Sequence, residues 1–319
     1  MLRRFDGRRI IFTSIMLVVL VAIVAVAAVM LLPSIKQASL LTQPVDETNG
    51  TQAETGSVNP LAKLAEGDEL GFVKPKLNGL VKQSATNENV WVSVKPNDRR
   101  NYQALTIDVT SERKDKLSEL RKSKQADGCD YGSNTVVSDT FKKGMGRAAA
   151  AKMKPKHTGV VKCSVTSNMI EASRGVREPF TSEPYGWPEH NMKVNYVNSR
   201  GATVHQWLWN RSHLVADMLG GEATSRNSVP GTMIQNVGDG SSGMVKPERE
   251  VAQNVRRWRC KVNYKVTPVY NSSSDAIPIA TVADAASVCS SWNKSYIIVN
   301  AWPGYSINYV TGKAEQNSK

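Results

Sequence analysis

The chain has 319 residues, 40% of them hydrophobic, which is enough for one ordinary catalytic domain with a sizeable core plus attachments. Lys and Arg number 41 against 28 Asp and Glu, leaving +13 at neutral pH. That balance disfavours a basic partner and points to polyanions, among which nucleic acid, an acidic cell wall and anionic lipid all qualify.

Met1 to Arg9 carries Arg3, Arg4, Arg8 and Arg9, and residues 10–32 follow without a charge. An apolar run of that length crosses a bilayer as a helix, and the arginines keep its start in the cytoplasm and place the remainder outside. A cleaved signal peptide is the competing reading. Against it, the small residues Ala25, Ala27 and Ala28 lie inside the apolar run rather than after it, so an uncleaved anchor is favoured. Either way the bulk of the protein is exported. Residues 33–88 are rich in Thr, Gly, Asn, Ser and Lys without a sustained apolar period, and they read as a flexible linker.

From Val90 the pattern tightens. Val90, Val92 and Val94 alternate as in a strand, and Ala104 to Val109 is a second candidate. Ser111 is placed to cap a charged helix reaching about Lys124, whose basic residues include Arg113. Cys129, Cys163, Cys260 and Cys289 all lie beyond the apolar segment, and none forms a Cys-x-x-Cys pair, which argues against structural zinc. In an exported domain two disulfides are expected. Cys129–Cys163 and Cys260–Cys289 each bracket a local unit, while the other two connectivities remain open.

Chemistry concentrates between Val204 and Glu248. Alternation there puts Val204, Gln206, Leu208 and Asn210 on one strand face and His205, Trp207, Trp209 and Arg211 on the other, imperfectly enough that a bulge is expected. His213 falls at the strand end. An imidazole can take a proton from water near neutral pH, and a guanidinium can grip phosphate with two prongs. The amide oxygen of Asn236 can ligate a hard cation that keeps most of its waters. A helix is expected from Pro247 to Trp258, with Glu248 at its positive end and Val251, Val255 and Trp258 as its apolar stripe. His157, His190 and His205 lack such company and read as structural or surface residues. Strands are expected over Lys261 to Tyr270, Ile277 to Val282 and Tyr296 to Trp302, with a frayed tail from Ala314.

The order of these residues resembles the bacterial DNA/RNA non-specific endonucleases of the ββα-metal class, in particular the streptodornase-like and membrane-bound DNA-entry nucleases. Asn210-Arg211-Ser212-His213 matches one form of their core letter for letter, and Leu214, Ala216, Asp217 and Gly220-Gly221 continue the pattern. Pro230-Gly231-Thr232 and Gln235-Asn236-Val237-Gly238 resemble the segment bearing the metal-binding Asn. Asp139 to Arg147 looks like a loosened Asp-x-Leu-Gly-Arg segment, and Trp302-Pro303-Gly304 with Ile307-Asn308-Tyr309 resembles the closing strand. The likeness covers roughly Tyr131 to Lys313. One departure is Met233, where the family often has an Arg, for which Arg226, Arg147 or Lys246 are candidate substitutes.

The resemblance implies an α+β fold over residues 89–319, with a mainly antiparallel sheet and helices carrying the ββα-metal site behind one N-terminal transmembrane helix. It implies hydrolysis of DNA, and of RNA, outside the cell, without sequence preference and with 5′-phosphate products. His213 would be the general base and Arg211 would neutralise the phosphate. Asn236 would bind Mg²⁺ (with Mn²⁺ as a possible substitute), and Glu248 would order a metal-bound water. Asn210, Asn227, Arg226 and Arg147 are the candidate substrate contacts, Asn227 being placed as well to brace the site loop. A membrane-tethered nucleic-acid receptor with a decayed nuclease site, Met233 being the symptom, remains the alternative.

Overall fold

A computed structural model describes residues 69–77, 80–86, 89–94, 99–132, 135–136, 156–198, 200–271 and 275–317. Its elements run α1 (Glu69–Leu77), β1 (Val81–Thr86), β2 (Asn89–Val94), α2 (Arg99–Ala104), β3 (Thr106–Asp108), α3 (Lys114–Lys122) and β4 (Gly128–Tyr131). Next come β5 (Thr135–Val136), β6 (Lys156–His157), β7 (Val161–Val165), α4 (Ser167–Ala172), β8 (Lys193–Val197), β9 (Thr203–Trp207), β10 (Trp209–His213) and β11 (Ser228–Thr232). The chain continues as α5 (Met233–Asn236), α6 (Val245–Trp258), β12 (Val262–Val269), β13 (Ala280–Ser287), β14 (Asn293–Val299), β15 (Tyr305–Asn308) and β16 (Ala314–Gln316).

The centre is a six-stranded sheet in the order β3-β14-β13-β12-β7-β4, antiparallel throughout. All eight residues of β13 are buried, and several are alanines, so elements pack closely on both of its faces. On one face Asp284 meets Arg113 at the start of α3. On the other, Ala283 and Ala285 share a core with Val251 and Val255 of α6. That second face carries the hairpin β10–β11 with α5, so the mainly antiparallel α+β expectation holds.

A separate four-stranded sheet, β1-β2-β15-β16, and the β8–β9 and β5–β6 pairs complete the architecture of the described residues. Both expected disulfides are present. Cys129–Cys163 joins directly paired residues of β4 and β7, and Cys260–Cys289 ties the start of β12 to the turn after β13.

Several expectations need correction. The stretch expected to be linker up to Glu88 includes α1 and β1. α1 is anchored because Val73 and Leu77 enter the core and the Glu69 carboxylate is buried against Arg113 at 2.7 and 2.9 Å. Ser111 caps no helix: its hydroxyl turns to Glu112, and α3 starts at Lys114. Arg113, expected on a basic face, is buried between Glu69 and Asp284. α6 begins two residues earlier than expected, and its Trp258 is exposed beneath the Arg257 guanidinium rather than in the apolar stripe. The tail from Ala314 is not frayed at first, because β16 pairs with β15.

Among the described residues no helix is long and apolar enough to cross a membrane. The apolar run 10–32, the basic segment 1–9 and the part of the linker up to residue 68 lie outside the described residues, as do Asp139 to Arg147 and with them Arg147.

Candidate active site

The site is built on β10. Between β9 and β10 the chain bends at Leu208, and this break, in place of the expected bulge, resets the alternation. Trp207 stays exposed under the Lys193 ammonium, whereas Trp209 is buried and donates its indole N–H to the Gly312 carbonyl. Beyond the bend Arg211 is exposed, Ser212 buried and His213 in between. β10 pairs with β11 from Trp209↔Thr232 to His213↔Ser228.

The buried Asn300 side chain fixes β11 to the sheet by accepting from the Thr232 N–H at 2.8 Å and donating to the Pro230 carbonyl at 3.0 Å. Thr232 then caps α5, its hydroxyl accepting from the Gln235 N–H at 3.0 Å. Gly231 is required at this corner, since a Cβ there would collide with the Gln235 side-chain oxygen and the Ser212 Cβ. The result brings Asn236, at the end of α5, to the strand: the Ser212 hydroxyl donates to its Oδ1 at 3.4 Å.

After His213 the chain turns through Leu214–Ala216 into a 3-10 turn at Asp217–Leu219. Asn227 organises this loop. Its Oδ1 accepts from the Val215 N–H at 3.0 Å, and its amide donates to the carbonyls of Val215 and Glu222, both at 2.8 Å. Fully buried and fully engaged, Asn227 braces the loop and does not reach a substrate. Arg226, the other candidate contact from this segment, donates to the Tyr131 carbonyl at 3.0 Å and lies over the Tyr131 ring. Lys246 pairs with Glu250 at 2.9 Å, so neither cation is free to stand in for the Arg missing at Met233. Met233 itself packs against the core. Asn210 is half-buried, its amide reaching the Trp207 carbonyl at 3.4 Å.

Arg211 and His213 share a neighbour, the Phe180 ring, whose centroid is 4.5 Å from that of the imidazole and 6.0 Å from the guanidinium carbon. Arg211 also lies over Trp187 and grips the Glu183 carboxylate with Nε at 2.7 Å and Nη2 at 2.5 Å. Burial holds the His213 imidazole below its ordinary pKa; Asp217 pulls it back up, and the charge of Arg177 pushes it further down. His213 therefore favours the neutral form, which can accept a proton. The Asp217 carboxylate Oδ1 approaches His213 Nε2 to 3.0 Å.

Glu248, in the first turn of α6, is buried. Burial pushes its carboxyl well above the usual range; the Ala216 backbone amide opposes this, and the nearby Asp217 adds to it. A divalent cation would relieve that unfavourable burial, and Asn236 offers a weakly held neutral oxygen. These two oxygen donors fit a hard ion that keeps most of its waters. Among the described residues no cluster of three or more His, Cys, Asp or Glu is disposed to hold a metal.

Phe180, Glu183 and Arg177 were not identified from the sequence, because no local pattern ties them to a strand some thirty positions later. Asp217 had a visible signal: a carboxylate four positions after a His, at a turn.

Residues 188–284 match the family model described as DNA/RNA non-specific endonuclease. A curated deoxyribonuclease of Streptococcus dysgalactiae subsp. equisimilis is 27% identical over 177 residues, a match that spans 46% of this chain and only 54% of that relative. The solved structure of Sda1 nuclease with bound zinc ion is 26% identical with a TM-score of 0.49, covering 74% of this chain and 96% of that one. The structure of NucA from Streptococcus agalactiae with magnesium ion bound is 14% identical with a TM-score of 0.43, covering 81% of this chain and all of that one. The segment that matches the DNA/RNA non-specific endonuclease model, 188–284, includes His213, Asp217, Asn236 and Glu248.

Proposed function

We propose that this chain is a metal-dependent endonuclease that hydrolyses phosphodiester bonds of DNA, and of RNA, without sequence preference. The observation that carries the reading is the join of β10 to α5, where Ser212, next to His213, is bonded to Asn236 inside the segment that matches the endonuclease family. The donor set favours Mg²⁺, with Mn²⁺ able to substitute, held by the Asn236 amide oxygen and through water by Glu248. When bound, such an ion acts as a Lewis acid on the scissile phosphate and offsets charge on the leaving oxygen.

His213 takes a proton from the attacking water, whose oxygen forms the new bond to phosphorus while the bond to the 3′ oxygen breaks, and the product carries a 5′-phosphate. Arg211 is the nearest cation to this base along β10 and neutralises charge on the phosphate. Exposed Trp207 beside Lys193 offers a stacking surface and a phosphate contact on the ribbon leading into the site. Contacts to the backbone carry no sequence information, which accounts for the expected lack of preference. The +13 charge suits a polyanionic substrate. The apolar run at 10–32 supports a membrane-anchored enzyme with its catalytic domain outside the cell, and the two disulfides fit that compartment.

The test is cleavage of supercoiled plasmid by the full chain in Mg²⁺, with EDTA and His213→Ala as controls. Nicking that disappears in both controls supports the reading, with His213→Ala expected to lose at least about 1,000-fold in rate. Plasmid that is retarded but stays intact, with Mn²⁺ also tried, would establish the receptor alternative instead.

A further inference from the structure

His213 is the last residue of β10, and the turn that follows returns Asp217 to it with Oδ1 3.0 Å from Nε2. Both atoms are buried, and neither makes a hydrogen bond of ordinary geometry to any described residue, the other one included. The approach is bent away from a linear hydrogen bond, yet each atom is the one available complement of the other. The turn that presents Asp217 is held on every side. Leu219 N–H donates to the Ala216 carbonyl at 2.9 Å, and Gly220 N–H donates to the Asp217 carbonyl at 2.8 Å. Asn227 pins Val215 from both directions. Gly221 closes the loop at a point where any Cβ would strike the Val215 carbonyl oxygen. Phe180 covers the imidazole face and restricts its rotation.

A neutral imidazole carries one N–H and one lone pair, and the partner of one nitrogen decides which is which. A carboxylate only accepts, so a carboxylate at Nε2 places the proton there and leaves Nδ1 basic.

We infer that Asp217 is a positioning residue for His213, accepting its Nε2–H so that the ring is fixed with Nδ1 as the nitrogen that deprotonates water. The inference rests on the hydrolytic reading above and adds to it the orientation and tautomer of the base. In the step itself, water gives its proton to Nδ1 and its oxygen to phosphorus, and the bond to the leaving oxygen breaks. The resulting imidazolium donates from Nε2 to Asp217, and the leaving oxygen takes a proton from solvent.

Two readouts test this on the full-length chain in detergent. In the first, the protein is labelled with [15N]histidine and kept metal-free at mildly alkaline pH, and His213→Ala identifies the signal of interest. The nitrogen shifts are expected to show a protonated Nε2 and a bare Nδ1, and Asp217→Ala is expected to give a mixture of tautomers. In the second, plasmid cleavage in Mg²⁺ is expected to lose on the order of 100-fold in kcat in Asp217→Ala, with KM held within about twofold. Asp217→Glu, which keeps an acceptor on a longer arm, is expected to recover part of that kcat. A wild-type signal with the proton on Nδ1 would overturn the inference. So would an Asp217→Ala protein that keeps wild-type kcat, or one that loses kcat with its tautomer unchanged. A wild-type chain that shows the Nε2–H tautomer but cuts nothing would defeat the hydrolytic reading while leaving the Asp217–His213 contact established.

Discussion

Arg211 holds Glu183 with both prongs of its guanidinium while both side chains remain 45% exposed. In the proposed reading the carboxylate occupies the grip that a phosphate would take, and substrate would displace it. An exposed pair of this kind contributes about 0–1 kcal/mol to folding. Glu183→Gln is therefore expected to leave the melting temperature nearly unchanged and to lower KM for DNA several-fold, most clearly at low salt; steady-state cleavage across a salt series checks it. The pH response follows from His213. Its pKa in the folded chain lies below the ordinary 6.5, chiefly through burial, so the folded protein refuses a proton that the unfolded chain accepts. Stability is then full above 6.5 and declines as pH falls below it, and His157, lowered by burial as well, adds in the same direction. The acid limb of kcat/KM is expected to have its midpoint below 6.5, and a pH–rate profile that turns over above that value would contradict His213 as the base. Asn227 makes three buried hydrogen bonds of about 1 kcal/mol each. Asn227→Ala is expected to cost about 3 kcal/mol, measurable by urea denaturation, and to slow cleavage through the loop it holds.

At the level of elements, what could be read in the sequence was local and what could not was long-range. The four residues Asn210 to His213 were legible because their order carries their chemistry, and α6 was legible because Val251 and Val255 recur at helical spacing beside a capping-end Glu. Trp258 broke that stripe because a large ring at the last turn, beyond the sheet, packs on Arg257 instead. β13 starts three residues later than expected: its four Ala and one Asp carry weak strand signals, and the small side chains are explained by two layers pressing on it. The bend at Leu208 stands in place of the expected bulge, and its consequence, a buried Trp209 between exposed Trp207 and Arg211, depends on the distant Gly312 carbonyl. Asn227 braces the site loop through Val215 and Glu222, and Arg226 is held by Tyr131 instead of facing substrate; spacing reveals none of these partners. The β8–β9 ribbon yields its own test: Trp207→Ala is expected to raise KM for single-stranded DNA by about tenfold, since stacking is worth roughly 1–3 kcal/mol per base, while leaving kcat alone.

Over the whole molecule, Arg113 joins three segments far apart in sequence, with Glu69 on one side and Asp284 on the other, and Ser295 donating to Asp284 at 2.6 Å. Removing one member of such a buried set strands a charge and costs about 3–5 kcal/mol. A chain begun at Asn89, which lacks α1 and β1, is expected to denature at clearly lower urea than one begun at Glu69, and Glu69→Ala in the longer chain is expected to reproduce much of the difference. Equal midpoints would show that α1 is dispensable. The Cys129–Cys163 bridge has a consequence of another kind. It closes a ring of chain around a single pair of facing strand residues, with their Cα atoms 4.1 Å apart. A protease that cuts anywhere inside that ring makes a two-chain protein that still migrates as one band, and β4 keeps its place on β7. Only a reductant then separates the pieces, so a preparation scored as intact without thiol can already be nicked.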